Sequence, residues 1–382
     1  MRALLVTTRP PVPARRGLEL RALDFARRLA EAGARVTLLA PTGSEALPAE
    51  LVASGVELAA YRYSRAAAAR GVLRAALAGA PLQNGLYSQP DLRRVFRRRA
   101  AENDLVVLQL ARLAALAPLA APRRLWVDLI DALSLAFERR ALFDRPLSRF
   151  VWREEARRLA RAESAMATAA ERCFVVCERD RAALVARWPH GLGARLEVLP
   201  IVPPAAPPPA CEATREGVVL TGNLGYFPTL EGLRWFLDGA WRRLRERRPE
   251  VRLRVAGARP ESALSAAIAA AGAELIANPP DLDDVLRRSA VAVAPLRCGA
   301  GVPLKVLEAW RSGVPVVACG WAAAGAGAVA DRDLLVADDP GGFAAAIERL
   351  LDDPGLAARL VAAGRERLAE AARVRLELRP SV

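Results

Sequence analysis

The sequence predicts an α/β protein made of two doubly wound domains, each with a parallel β-sheet. At 382 residues the chain is too long for one ordinary hydrophobic core. Short apolar segments alternate with amphipathic helical segments from end to end, as in parallel sheets covered by helices on both faces. The alternation stops at residues 200–216, where proline is frequent, and this segment is predicted to be a stiff linker.

The linker divides the chain into predicted domains at residues 1–199 and 217–360, followed by a C-terminal helix and tail at 361–382. The strand-like segments of the first domain are ALLVTT, RVTLLAP, DLVVLQL, RLWVDLI, CFVVC and LEVLP. Those of the second domain are GVVLTGN, VRLRVAG, AELIA, AVAVAPL, VPVVACG and DLLVA. Because ligands of open α/β sheets bind at the carboxyl ends of strands, we expect a ligand-binding cleft between the two domains.

The net charge of +14 is unevenly distributed along the chain. Residues 1–200 hold 33 of the 56 basic and 20 of the 42 acidic side chains. The densest basic segment is DLRRVFRRRA at 91–100, where Arg93, Arg97 and Arg94, Arg98 form adjoining stripes of a helix. This helix is either an ordinary solvated surface or a contact for anionic lipid or a phosphorylated acceptor. Nucleic acid is not expected as a partner, because few aromatic residues interleave with these arginines.

Other compositional features exclude several classes of protein. No uncharged apolar run reaches the length of a membrane-spanning helix, and the N-terminal MRALLVTT is predicted to be a buried strand rather than a signal peptide. The five cysteines are scattered and are predicted to be reduced packing thiols. We therefore expect a cytoplasmic protein, with peripheral contact at the inner face of the membrane as an extension. No metal site is expected, because the acidic segment at 281–284 is predicted to be a helix N-cap at Asp281 and its first turn.

Lys305 is the only lysine of the chain. It follows a glycine-bearing loop with Gly299 and Gly301, near the start of a helix predicted at residues 302–311. Glycines allow close approach of the backbone to a ligand, and a helix N-terminus attracts anions. A surface pair of Lys305 with Glu308 is the alternative, but the composition favours arginine, and a surface lysine would tolerate that exchange. We therefore predict that Lys305 binds a diphosphate and that Glu308, one turn on, accepts hydrogen bonds from a ribose.

The segments GAGVPLKVLEAWRSGVPVVA and VVLTGNLGYFPTLEGLRWF resemble the C-terminal domain of retaining glycosyltransferases of the GT-B fold, family 4 (GT4). In the N-terminal half, RRGLELRALDFARRLAEAG, VDLIDALS and EEARRLARAE resemble the same group more loosely. The resemblance implies two Rossmann-like domains and a nucleotide-sugar donor. It implies that Lys305 neutralises the donor diphosphate and that Glu308 holds the ribose. The remaining donor contacts that it implies are small residues and an amide: Gly17, Gly222, Asn223, Gly299, Ala300, Gly301 and Val302.

The sequence departs from the family pattern at three places. Ala300 stands where the family has the first glutamate of its E-x7-E motif. The usual basic residue after the first strand of the C-terminal domain is missing, so Lys305, with Arg297, is expected to carry more of the diphosphate charge. The single histidine, His190, is expected to be an exposed loop residue, and Asp128 or Asp131 occupies the neighbourhood of the family histidine.

Several polar residues of the N-terminal half follow predicted strands. Asp128 or Asp131 would orient an acceptor hydroxyl or the donor sugar, or would cap the helix that begins near Ser134. Gln109 and Arg112 would contact the acceptor or a phosphate, or pack at the edge of the core. The remaining candidate of this half is Arg21, either in a salt bridge within its domain or extended toward the acceptor.

These features together predict a cytoplasmic enzyme that transfers a sugar from a UDP- or GDP-sugar to a glycan, a lipid-linked or a small-molecule acceptor. Retention of configuration and a role in polysaccharide biosynthesis follow from the resemblance. Independence of metal ions is expected because a lysine and helix N-terminal amides can stabilise the charge of the departing diphosphate. The catalytic candidates are Asp128, Asp131 and Lys305. A GT-B epimerase or phosphorylase, or a nucleotide-binding partner protein without turnover, are the alternatives.

Overall fold

The computed structural model describes residues 1–14, 17–121, 123–203, 215–260 and 262–378. The described chain divides into two compact units. The first unit is Met1–Ile201 together with the segment that begins at Val374, and the second unit is Val202–Arg373. Most of the predicted linker, residues 204–214, lies outside the described residues, and the predicted domain boundaries stay predictions.

The first unit contains a parallel sheet with helices between successive strands. Its elements are β1 (Arg2–Val6), α1 (Gly17–Glu31), β2 (Arg35–Pro41), α2 (Ala49–Ala53), β3 (Val56–Tyr61), α3 (Arg65–Leu77), α4 (Leu82–Tyr87), α5 (Pro90–Ala101), β4 (Leu105–Gln109), a 3₁₀ helix (Ala111–Leu119), β5 (Arg124–Ile130), α6 (Leu133–Phe143), α7 (Pro146–Ala169), β6 (Arg172–Val175), α8 (Glu178–Val185), a second 3₁₀ helix (Leu192–Arg195) and β7 (Leu196–Val198). Among the described residues the strand order is β3-β2-β1-β4-β5-β6-β7. The direction of winding therefore reverses between β1 and β4.

The second unit repeats this architecture. Its elements are β8 (Val218–Asn223), α9 (Phe227–Trp235), a π-helical segment (Phe236–Trp241), α10 (Arg242–Arg247), β9 (Leu253–Ala258), α11 (Ser262–Ala270), β10 (Glu274–Ala277), α12 (Leu282–Arg287), β11 (Val291–Ala294), α13 (Leu304–Arg311), β12 (Val316–Ala318), α14 (Gly320–Ala326), β13 (Leu335–Val336), α15 (Pro340–Asp352) and α16 (Pro354–Arg373). The described strands are parallel in the order β10-β9-β8-β11-β12-β13. Here the winding reverses between β8 and β11.

These two sheets confirm the predicted fold class. The strands predicted from apolar runs form the sheets because their side chains are buried on both faces, as at Leu4, Leu5, Val106 and Val107. One strand, β3, was not predicted. Among the described strands it pairs with β2 alone. Glu57 interrupts its apolar run, and Leu58 beside it is 37% exposed.

The segment after α16 returns to the first unit. Arg28 donates a hydrogen bond to the carbonyl of Val374, and Arg124 donates to that of Leu378. Leu376 is buried in the same core cluster as Phe25 and Trp126. The segment is thus part of the packing of the first unit, although it follows the second unit in the chain.

None of the described helices is long and apolar enough to cross a membrane. Four cysteines, Cys173, Cys177, Cys298 and Cys319, are buried free thiols. The fifth, Cys211, lies outside the described residues. His190 is exposed in a loop, as the sequence predicted.

Candidate functional site

The amine of Lys305 is buried in the second unit, at the point where the winding of the sheet reverses. The residue is 9% exposed, and its Nζ atom has no hydrogen-bond partner among the described residues. A Cβ atom placed on Gly222, at the end of β8, would lie 3.2 Å from that Nζ. The carboxyl edge at a reversal of strand order is where open α/β sheets bind ligands. The lysine therefore presents an unsatisfied cation at the expected ligand position.

Burial also changes the protonation of this amine. Desolvation lowers the pKa of Lys305 to about 8, and the nearby carboxylate of Glu308 opposes this shift. An ammonium group without a protein partner is costly in such surroundings. An anionic ligand would supply the missing charge and the missing hydrogen bonds.

The loop before α13 has the backbone conformation that its glycines permit. Gly299 has φ +98° and Gly301 has φ +73°. The carbonyl of Gly299 accepts a hydrogen bond of 2.9 Å from the indole Nε1 of Trp321. The helix begins at Leu304, two residues later than predicted, because Pro303 has a non-helical ψ of 96°. Lys305 is consequently the second residue of α13.

Glu308 lies one turn after Lys305 and is half-buried. Burial is the main cause that raises the pKa of its carboxyl group; Asp283 also raises it, whereas Arg311 and Lys305 lower it. Arg311 forms an ion pair with Asp283. Within the described residues no hydrogen bond of the Glu308 carboxylate is found, so its oxygens are available to accept hydroxyl donors.

The other candidates of the second unit surround the same strand ends, with one difference. Asn223, the last residue of β8, accepts a hydrogen bond of 3.1 Å from the backbone of Gly225. Ala300 and Val302 are half-buried in the loop before α13. Arg297, expected to share the diphosphate charge, forms an ion pair with Glu231. Part of its charge is therefore neutralised within the protein.

In the first unit, three predicted residues form one buried network. Arg21 donates two hydrogen bonds to Asp128, of 2.9 Å from Nε and 3.0 Å from Nη2. Gln109 donates a third, of 3.0 Å, to the same carboxylate, and all three side chains are 0% exposed. Arg21 thus makes the salt bridge within its unit that was one of its two predicted roles. A carboxylate that already accepts three hydrogen bonds is well suited to hold structure in place.

Asp131 differs from Asp128 in having an unsatisfied oxygen. Its buried Oδ1 atom has no hydrogen-bond partner within the described residues. Desolvation, followed by repulsion from Asp180, raises the pKa of its carboxyl group to about 7. The residue before it, Ile130, has φ +62°, which is unusual for a β-branched residue. Backbone of this kind is often found at functional sites.

Neither predicted aspartate caps the helix that follows β5. The backbone N–H of Ala132 donates to Asp180, and the N–H and hydroxyl of Ser134 donate to Glu163. Burial is also the main cause that raises the pKa of Glu163 to about 7. Glu163 and Asp180 were not among the residues predicted from the sequence. Each is an acidic residue on the buried side of an amphipathic helix. Recognising such a residue from the sequence requires the orientation of the helix to be known.

Two further buried polar atoms at strand ends of the first unit have no hydrogen-bond partner among the residues that the structure describes. They are Oγ1 of Thr8, two residues after β1, and Oε1 of Gln109, the last residue of β4. Between β1 and β4 the strand order reverses, so this unit also has unsatisfied polar atoms at its expected ligand edge. Thr8 was not predicted, because a single threonine after a strand carries no distinctive pattern.

Arg112 and Gly17 complete the candidates of the first unit. Arg112, in the 3₁₀ helix after β4, donates a hydrogen bond to Gln83 and stacks 5.1 Å from the ring centroid of Tyr87. Gly17 is the first residue of α1. Asp281 accepts hydrogen bonds from the N–H groups of Asp283 and Asp284, so the N-cap predicted there is confirmed. No cluster of three metal-ligating side chains occurs in the described part of the chain.

Part of the chain matches a known family model. Residues 215–353 match the family model described as glycosyl transferases group 1. This segment runs from the residues before β8 to the end of α15 and includes Lys305 and Glu308. No curated protein sequence matches the chain significantly.

Several solved structures resemble the chain over nearly its whole length. Sucrose-phosphate synthase from Thermosynechococcus elongatus is 15% identical, with a TM-score of 0.70 over 97% of this chain and 94% of that one. HepE from Anabaena in complex with UDP is 15% identical, with a TM-score of 0.65 over 98% and 95%. An α,α-trehalose-phosphate synthase (UDP-forming) from Burkholderia vietnamiensis is 17% identical, with a TM-score of 0.63 over 97% and 96%. At these identities the likeness establishes the fold, which is that of the GT-B enzymes.

Proposed function

We propose that this protein is a glycosyltransferase that transfers a sugar from a nucleotide-sugar donor to an acceptor. The observation that carries the proposal is the buried amine of Lys305, which faces Gly222 and has no hydrogen-bond partner among the described residues. The match of residues 215–353 to glycosyl transferases group 1 supports the same conclusion. Sugar transfer needs stabilisation of the charge that develops on the leaving diphosphate, and a preorganised ammonium group supplies it.

The donor is proposed to be a UDP-sugar. One of the similar structures, HepE, was solved with UDP and with UDP-glucose. In this chain Lys305 would bind the diphosphate, while Glu308 would accept hydrogen bonds from the ribose hydroxyls about one helical turn away. Backbone groups of Gly299 and Gly301 would approach the phosphates, because neither residue has a side chain in the way.

Isothermal titration with UDP, GDP and inorganic pyrophosphate tests this assignment. We expect Lys305→Ala to lower the affinity for UDP and the affinity for pyrophosphate alike, by about a hundredfold, because a charge-assisted contact in a buried site is lost. Glu308→Gln should lower the affinity for UDP but not the affinity for pyrophosphate, because pyrophosphate has no ribose. Arg254→Gln, in β9, is the control and should bind as the unaltered protein does. Equal UDP affinity of Lys305→Ala and the unaltered protein would remove the proposal.

Asp131 is proposed as the acid–base or orienting group for a sugar hydroxyl. A carboxyl group whose pKa is about 7 can accept and donate a proton near neutral pH. Its unsatisfied Oδ1 gives it capacity for a ligand, whereas the Asp128 carboxylate is already engaged by Arg21 and Gln109. In a turnover assay Asp131→Asn should lower kcat by about a hundredfold with little change in UDP affinity. Unchanged kcat would remove Asp131 from the mechanism.

Retention of configuration and independence of metal ions are part of the proposal. The diphosphate charge would be carried by Lys305 and the backbone at the start of α13. Turnover in the presence of EDTA should then match turnover with added Mg²⁺. NMR of the anomeric proton of the product, taken early in the reaction, would distinguish retention from inversion.

Peripheral binding to an anionic membrane is proposed for the start of α7. Leu147 and Phe150 are 92% and 73% exposed there, and Arg145, Arg149 and Arg153 on the same turns are exposed as well. Apolar side chains beside cations fit an anionic bilayer surface. The excess of basic residues in this half of the chain favours the same partner.

Co-sedimentation with vesicles tests this surface. The protein should bind vesicles rich in phosphatidylglycerol and not vesicles of phosphatidylcholine alone. The double variant Leu147→Ser, Phe150→Ser should lose most of this binding. Leu77→Ser, at an exposed position of α3, is the matched control and should retain it.

A further inference from the structure

A second candidate site lies in the first unit, in a cavity of about 580 Å³ between α3, α4, α5 and the 3₁₀ helix after β4. Its volume is in the range of small-molecule sites. Among the residues that line it are Arg74, Arg93, Arg97 and Asn84. The cavity is lined by residues of the first unit, whereas Lys305 and Glu308 belong to the second unit, and it includes Arg93 and Arg97 of the basic segment that the sequence singled out.

The cavity is formed where two helices cross with their backbones in contact. A Cβ atom on Gly71 of α3 would lie 2.1 Å from the carbonyl oxygen of Gly85 in α4, and the reverse distance is also 2.1 Å. Only glycine fits at either position. Small residues line much of the cavity, among them Gly71, Gly85, Ala75 and Ala78.

Three arginines line the cavity. Arg74 comes from α3, and Arg93 and Arg97 come from successive turns of α5, and all three are exposed. Within the described residues their guanidinium groups form no ion pair and no hydrogen bond, whereas Arg94, on the same helix, pairs with Asp91 at 2.6 Å. Three cations without carboxylate partners around one cavity favour a phosphate group.

One polar side chain that lines the cavity calls for a hydrogen-bond donor rather than an anion. Asn84 lines the cavity and is 9% exposed, and its buried Oδ1 atom has no hydrogen-bond partner in the described part of the chain. Leaving a buried acceptor unsatisfied costs free energy. A hydroxyl group donated by a ligand would satisfy this acceptor.

We propose that this cavity binds a phosphate ester that also carries hydroxyl groups, with Arg93 and Arg97 holding the phosphate and Asn84 accepting from a hydroxyl. Both a free sugar phosphate and the headgroup of a phospholipid have this chemistry. In the proposed reaction such a compound would be the acceptor, and this last assignment rests on the proposed function. The binding site itself does not.

Isothermal titration with four probes tests the site: glucose 6-phosphate, dihexanoyl phosphatidylglycerol, inorganic phosphate and glucose. We expect one of the two esters to bind more tightly than inorganic phosphate, and glucose to bind most weakly. Preference for glucose 6-phosphate identifies a free sugar phosphate, and preference for the lipid identifies a headgroup. Inorganic phosphate binding as tightly as both esters, or no binding of any probe, would overturn the proposal.

Variants locate the binding in the cavity. The double variant Arg93→Gln, Arg97→Gln should lower ester affinity at least about tenfold, because two charge-assisted contacts are lost. Arg98→Gln lies on the same helix outside the cavity and should leave it unchanged. Asn84→Ala should lower the affinity for the esters but not the affinity for inorganic phosphate. It should not lower Tm, because Oδ1 makes no hydrogen bond within the described residues. Ester affinity that is equal in the double variant and the unaltered protein would contradict the site.

Failure of this site and failure of the proposed function give different results. UDP affinity is measured on the same preparations. If esters bind and depend on Arg93 and Arg97 while UDP does not bind, the cavity stands and the glycosyltransferase assignment falls. If UDP binds through Lys305 and no ester binds, the glycosyltransferase assignment stands and the proposed ester site falls.

Discussion

The Nζ atom of Lys305 occupies the space directly beside Gly222, 3.2 Å from where a Cβ atom on that glycine would stand. Gly222 has φ +146°, a conformation that side chains disfavour. The absence of a side chain at the end of β8 therefore leaves room for the amine at the carboxyl edge of the sheet. The two residues, 83 positions apart in the sequence, form one feature.

The first prediction concerns this contact. Gly222→Ala should lower UDP affinity by about tenfold or more, because the new methyl group both strains the backbone and displaces the amine. In Gly225→Ala, in the loop after β8, the added methyl group would meet its neighbours only at 3.5 Å or more, and this variant should bind UDP normally. Titration calorimetry of both variants measures the difference, and equal affinities would show that the close approach is unimportant.

The second prediction is that Lys305 is a binding residue that costs stability. Its folded pKa of about 8 is below the ordinary value of 10.5, so burial of the ammonium opposes folding at pH 7. Lys305→Met should raise the free energy of unfolding at pH 7 by on the order of 2–3 kcal/mol, while UDP binding is lost. Urea unfolding gives this quantity.

The sign of the effect with pH provides the control. A folded pKa below the unfolded one makes the unaltered protein more stable as pH rises from about 8 toward 10.5. The difference in the free energy of unfolding between Lys305→Met and the unaltered protein should therefore decrease between pH 7 and pH 10. A variant that is less stable than the unaltered protein at pH 7 would contradict the burial of a charged amine.

The third prediction concerns the pH dependence of nucleotide binding. The free protein loses the Lys305 ammonium as pH rises through about 8, so UDP affinity should fall by up to about tenfold per pH unit above that value. Lys305→Arg stays charged over this range. Whatever its absolute affinity, its binding should not change between pH 7 and pH 9, and a parallel decline in both proteins would assign the pH effect to another group.

The fourth prediction separates the two aspartates of the first unit. Asp128→Asn removes the carboxylate that accepts two hydrogen bonds from the buried guanidinium of Arg21 and leaves it the more distant Asp24, at 3.8 Å. This change should lower the free energy of unfolding by about 3 kcal/mol. Asp131→Asn should raise it at pH 8, because the raised pKa of about 7 means that the charged carboxylate is disfavoured in the folded state.

The sign for Asp131 follows from its pKa. A carboxyl group with a folded pKa above its ordinary value of 3.8 contributes stability below that value and loses it as pH rises through about 7. The difference between Asp131→Asn and the unaltered protein should therefore vanish near pH 4. Chemical unfolding at pH 4 and pH 8 measures it, and a destabilised Asp131→Asn at pH 8 would mean that its carboxylate has a partner in solution.

The sequence was sufficient to predict the sheets, because buried parallel strands have nearly continuous apolar runs. It was also sufficient to single out Lys305, since one lysine among 56 basic residues is a compositional signal. The edge strand β3 was not predicted, because it is covered incompletely and so lacks a continuous apolar run; its residue Leu58 is exposed.

Contacts between distant residues could not be predicted from the sequence. Arg21, in α1, and Asp128, in β5, are 107 residues apart and meet only in the folded first unit. The same holds for Glu231 of α9, which forms an ion pair with Arg297 in the loop after β11, and for Glu163, which accepts a hydrogen bond from the N–H of Ser134. Side-chain partners depend on helix rotation, which a hydrophobic pattern fixes only approximately.

The return of the segment from Val374 to the first unit affects how that unit can be produced by itself. Arg28, Arg124 and Arg172 donate to carbonyl groups of this segment, so a fragment that stops at Ile201 would expose these guanidinium groups and the hole left by Leu376. A fusion that joins residue 201 to residue 374 through a short flexible spacer would restore them. Recombinant expression of the first unit should accordingly yield folded material from the spliced gene and aggregates from the simple truncation.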